Sequence, residues 1–204
     1  MRIGESEPPA RCLGGSRVID NLAQGSVFRT WFVRLLKVAA AGIAFAGLIA
    51  LFNAWQFTSH QEAAGIIGGI VYMLFLVAGI YMVVHAMIIR AGHIASLPDG
   101  EFTLIPLCII LSLLIREAYA AFSASISLGG GFLIWCAQGS AHKLLKDVSA
   151  FVPAQEGTDF LAGFLVMIRG LVRAVGVLIV GYLASELFVV VGKMGEKQPG
   201  TPAN

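Results

Sequence analysis

Apolar residues gather into four long runs along this chain, separated by short polar segments. The first, "LLKVAAAGIAFAGLIALFNAW" at 35–55, has Arg29, Arg34 and Lys37 at its start and Trp31 and Trp55 at its borders. As a helix rising 1.5 Å per residue it measures about 31 Å, close to the roughly 30 Å hydrocarbon core of a bilayer. The second run, 63–89, closes on Arg90 and His93. It measures about 40 Å, so it predicts a tilted or overhanging helix. "SLPDGEF" then supplies Pro98, Asp99 and Gly100, which are turn residues.

The third run, 103–137, is harder to place. A single helix of that length measures about 52 Å and exceeds the whole bilayer, headgroups included. It also carries Arg116 and Glu117 side by side. Its "GGG" at 129–131 weakens the helix and predicts a break or kink there. The fourth run, Phe160 to Gly192, is too long as well and contains Arg169, Arg173 and Glu186. Between these runs lies the polar segment "QGSAHKLLKDVSAFVPAQEGTD", read as a loop.

Two topologies follow. In the preferred one, 103–137 is one span, and Arg116 and Glu117 join a charged cluster with Arg169, Arg173 and Glu186 between the third and fourth long helices. Counting outward from the joining loop sets Glu117 near the level of Ile179, about 9 Å from Arg173 along the axis. Arg169 and Arg173, four residues apart, share a helix face. Insertion scales charge about 2.5–3.5 kcal/mol for a central Arg, while each surrounding Leu or Ile returns about 0.3–0.6 kcal/mol. The span is therefore tolerable if its charges avoid lipid. In the alternative, Arg116 and Glu117 form the tip of a hairpin between two short spans, five spans in all. The string "REAYAA" lacks Gly, Pro or Asn and argues for helix instead.

The composition agrees with membrane residence: 57% of residues are hydrophobic and 13% charged, against about 25% charged in soluble domains. The expected fold class is an all-α integral membrane bundle of four long helices over 29–193. A polar N-terminal tail over 1–28 and a disordered tail over 194–204 flank it. The net charge of +2 is too small and too scattered for a nucleic-acid binder. The excess of Lys and Arg before the first span predicts a cytoplasmic N-terminus. With no apolar signal-peptide core in the tail, a bacterial inner membrane is the expected location.

Candidate chemistry is sparse. Cys12, Cys108 and Cys136 lack metal-ligand spacing. His85 is the one intramembrane histidine, and no second span supplies a partner for haem ligation. GxSxG, HExxH, Walker and Rossmann patterns do not occur, and no cofactor is expected. Small residues do recur at helical spacing: Gly42, Ala46, Ala50 and Ala54 in the first span, and Gly65 and Gly69 in the second. Such stripes let helix backbones approach closely where lipid removes the hydrophobic drive. The expected role is a non-enzymatic helix-packing subunit or scaffold. It would act in the lipid bilayer as a homo-oligomer or with another membrane protein. The alternative is a small transporter or channel whose pathway is lined by Glu117, Arg173 and Glu186.

Overall fold

A computed structural model describes residues 26–97, 104–146, 148, 151 and 160–196. All regular structure among them is helical: α1 (Ser26–Ser59), α2 (Ala63–Ala95), α3 (Leu104–Ala137), a 3-10 turn (Gln138–Ser140), α4 (Ala141–Lys146) and α5 (Phe160–Glu196). Four of these helices are long and apolar enough to cross a membrane. Helix α3 runs through Arg116 and Glu117 without interruption, which removes the hairpin tip and the five-span arrangement. Helix α5 continues to Glu196, past the expected limit at 193. Most of the expected N-terminal tail, and the C-terminal residues beyond Glu196, lie outside the described residues.

The main contacts run in chain order: α1 packs on α2, α2 on α3, and α3 on α5. Neighbouring helices are antiparallel, and glycines set their closest approaches. A Cβ on Gly69 would lie 2.2 Å from the Thr58 hydroxyl of α1, and one on Gly68 would lie 2.5 Å from the Cys136 Cβ of α3. Gly65 lies against Gln61 of the connecting turn. The GxxxG of the second span therefore serves packing within the chain. Of the stripe in α1, Ala54 is fully buried and Ala50 partly so, whereas Gly42 and Ala46 are exposed.

The triple glycine does not break α3. Successive residues on a helix fan out by about 100°, and each of these three meets a different neighbour. Gly129 faces Tyr72 and Phe75 of α2, Gly130 faces Leu145 of α4, and Gly131 faces Met167 and the Gly163 carbonyl of α5. Helix propensity, about 1 kcal/mol per Gly, is outweighed by three close packing contacts at one level.

The polar segment after α3 is more than a surface loop. Gln138 takes a left-handed φ of 47°, which turns the chain back on itself. The Ser140 hydroxyl ties the turn to the Gln61 side-chain oxygen at 2.8 Å. Leu145 then packs at Gly130. Phe151 reaches Phe122, with ring centroids 4.8 Å apart, and its carbonyl accepts a hydrogen bond of 2.7 Å from Ser123 Oγ. From Ala137 back to the level of Phe122 is about 22 Å along α3. Leu145 belongs to the core formed by Ala54, Tyr72, Ile126, Leu133 and Val166, with Leu144 and Val148 packed against it. Leu145 thus shares one core with residues of all four long helices. A second core, including Leu36, Ala91, Ile94, Leu107 and Leu114, occupies the end where α1 begins and α2 finishes.

Candidate functional site

The charged residues of α3 face two helices at once, because neighbours on a helix point about 100° apart. Glu117 turns to α2. Its carboxylate accepts Arg90 Nε at 3.1 Å through one oxygen and Arg90 Nη2 through the other, a two-point pairing of planar groups. The two side chains are only 19% and 23% exposed. The Tyr182 hydroxyl of α5 donates a further bond of 3.1 Å to the same carboxylate. Three helices therefore meet on Glu117.

Arg116 turns to α5. Its Nη1 donates to the Gly181 carbonyl at 2.5 Å, and its aliphatic stem lies where a Cβ on Gly181 would be, 2.4 Å from Cδ. Consecutive residues of α3 thus engage consecutive residues of α5, Arg116 with Gly181 and Glu117 with Tyr182. The Gly181 carbonyl also accepts the Ser185 hydroxyl at 2.9 Å.

The remaining expected members are placed elsewhere. Arg173 does not join Glu117; its guanidinium lies 5.4 Å over the Tyr119 ring, a cation–π contact. Tyr119 in turn packs on Phe151, with centroids 5.6 Å apart, so Arg173 is directed toward the doubled-back segment. Arg169 and Glu186 are exposed on α5 and are not brought into the pairing at Glu117. His85 is exposed and stacks on Tyr81 at 5.6 Å.

Sequence reasoning missed Arg90 and Tyr182 as members. Arg90 looked like the closing flank of a span, and Tyr182 carried no signal of its own. The approach of α3 and α5 also depends on glycines not singled out in advance. A Cβ on Gly163 would lie 2.3 Å from Trp135 Nε1, and one on Gly170 would lie 2.1 Å from the Ser127 Cβ. Trp135 Nε1 donates to the Phe160 carbonyl at 2.7 Å, and the two rings stack at 4.7 Å. Gly163 and Gly170 are seven residues apart, two helical turns, which is the spacing that could have flagged them.

What the cluster can do chemically follows from its bonds. Glu117 has a cation and a hydroxyl on it, and Arg116 is spent on a backbone carbonyl. Among the described residues no group of three or more His, Cys, Asp or Glu could hold a metal ion. No protein-family model, curated protein or solved structure matches this chain.

Proposed function

We propose that the chain is a multi-pass membrane protein acting as a non-enzymatic packing subunit, with the charge cluster serving as an internal clamp. The carrying observation is that Arg90, Arg116 and Glu117 each bond across to another helix. A transport pathway would need such groups to be available to a passing ion, and here they are engaged by the protein itself.

A bilayer placement can be drawn with the charge cluster at one border, but it sets the exposed Arg169 and the Tyr119-paired Arg173 of α5, near the level of the Gly170–Ser127 contact, inside the hydrocarbon layer. Ala118–Ala137 of α3 is charge-free and measures about 30 Å, one hydrocarbon thickness. Lys37, Arg90, Arg116 and Glu117 then fall at one border, and the apolar residues 104–115 project beyond it, supported by the second core. The outward faces carry Phe45, Leu48, Ile67, Leu74, Val172 and Val180, an apolar surface far larger than soluble monomers expose. The border holding Arg29, Arg34 and Lys37 is cytoplasmic by the positive-inside rule, and we assign the protein to a bacterial inner membrane. In that placement Gln138–Lys146, Val148 and Phe151 become re-entrant, with Lys143 and Lys146 exposed. Non-helical backbone at that depth needs shielding by protein, and the packing of Leu145 and Phe151 supplies it.

Native mass spectrometry of the tagged protein in mild detergent tests the role. Recovery with a different membrane protein in fixed stoichiometry, or as a defined homo-oligomer lacking ion or solute flux in vesicles, is the expected result. Flux that Glu117→Gln abolishes while leaving assembly intact would replace this reading with a transporter or channel.

A further inference from the structure

The outward face of α2 carries polar groups that the chain does not satisfy. Its inner face, with Gly68, Leu76 and Val83, is buried in the bundle. Opposite these, Ile67, Ile70, Leu74, Tyr81, His85 and Ile88 are exposed. Their spacings of three and four keep them on one helix face, about 32 Å long from Ile67 to Ile88. The run 63–89 holds no Asp, Glu, Lys or Arg, so in the bilayer placement above this face crosses the hydrocarbon uncharged. His85 lies about 7.5 Å inside the border marked by Arg90, and Tyr81 about 13.5 Å inside it.

Arg90, Arg116, Glu117 and Tyr182 all bond to other helices of the chain. His85 and Tyr81 stack on each other, with ring centroids 5.6 Å apart, and neither side chain makes a hydrogen bond among the described residues. Lipid can cover the isoleucines and the leucine, but hydrocarbon offers an imidazole no partner. A second copy does. Copies inserted in the same orientation are related by rotation about the membrane normal, so at a two-fold axis each residue meets its own counterpart at its own depth. A neutral imidazole carries a donor and an acceptor, and so does a phenol. Each can therefore satisfy its own twin, whereas an Arg or Glu would meet its own charge, and this face has neither.

We propose that the outward face of α2 is the contact between two copies of this chain, with His85 and Tyr81 hydrogen-bonded across the two-fold axis. The inference rests on the bilayer placement and on the packing role, for which it names a second copy as the partner.

Single cysteines in native membranes test the contact, in a background where Cys12, Cys108 and Cys136 are serine. Oxidation of Leu74→Cys, Ala78→Cys and Ile88→Cys should give disulfide-linked dimers, while Phe45→Cys on α1 and Val172→Cys on α5, equally exposed controls, stay monomeric. Native mass spectrometry over a dilution series in mild detergent then tests the polar pair. His85→Leu should raise the dimer dissociation constant by about tenfold, the scale of an interhelical hydrogen bond in a membrane. His85→Asn, which keeps a donor and an acceptor, should dimerise like the parent. Apolar packing alone would give the opposite order. No dimers at the α2 positions, equal dimers at the two controls, or full dimerisation of His85→Leu each overturns the proposal. A fixed complex with a different membrane protein, without cross-links through α2, would end the proposal and keep the packing role. Flux through the cross-linked dimer that Glu117→Gln abolishes would end the packing role and keep the contact.

Discussion

Arg90 holds both carboxylate oxygens of Glu117 across the interface of α2 and α3. Breaking a fully buried ion pair costs about 3–5 kcal/mol and an exposed one about 0–1 kcal/mol; these side chains, about one-fifth exposed, lie between. Arg90→Gln and Glu117→Gln should each destabilise the folded protein by about 1–3 kcal/mol. The double variant should lose less than the two together, because neither charge is then left unpaired. Equilibrium unfolding in detergent across this mutant cycle checks the pair, and strictly additive losses would show that it contributes no coupling.

Glycine substitutions should divide by position. A Cβ at Gly163 meets Trp135 and the Gly131 carbonyl, so α3 and α5 must move apart to admit it. Gly163→Ala should therefore cost about 1–3 kcal/mol, the usual range for overpacking. Gly176 on the same helix has nothing within 4 Å, and Gly176→Ala should be neutral or gain up to about 1 kcal/mol of helix propensity. Melting temperatures of the two variants give the answer. The reverse order would contradict the α3–α5 interface.

Gln138 is the described non-glycine residue with positive φ. Its side chain is exposed, so Gln138→Gly relieves the left-handed backbone at little cost in contacts. A gain of about 1 kcal/mol is expected, visible as a higher melting temperature. A loss would mean that the turn at the end of α3 is built differently.

The return of the chain along α3 can be trapped covalently. In a background where Cys12, Cys108 and Cys136 are serine, Phe122→Cys and Phe151→Cys should be bridged by a short bifunctional thiol reagent. Trypsin cleavage at Lys143 or Lys146 then yields fragments that remain joined until the bridge is cut. Fragments that separate at once would place Phe151 away from α3.

Much of the architecture was legible because a membrane-length apolar run has one low-energy form, the helix. The four runs became the four long helices with only their ends extended. Register was legible too: counting from the joining loop put Ile179 opposite Glu117, and the structure puts Gly181 and Tyr182 there. The partners were not. Counting ranks levels along an axis, whereas Arg90 and Arg173 differ in which side of α3 they approach, and that rotation depends on glycine contacts distributed over several helices. The triple glycine misled for a related reason. Intrinsic propensity describes an isolated helix, and each of these residues earns its place only against a neighbour. The doubled-back segment had no periodic signal, because its apolar residues Leu144, Leu145, Val148 and Phe151 are too few to stand out among polar ones.

The glycine level of α3 also has an entropic consequence. On the bilayer placement proposed above, helices form before they associate, so the conformational freedom that glycine surrenders would be lost at insertion, not when the helices meet. Docking at Gly129, Gly130 and Gly131 then freezes no rotamers on α3, whereas each Leu or Ile ordered at the opposite end gives up about 0.5–1 kcal/mol of side-chain freedom. The two ends of α3 therefore associate on different thermodynamic terms, with close backbone contact at the glycines and ordered side chains toward the charged border.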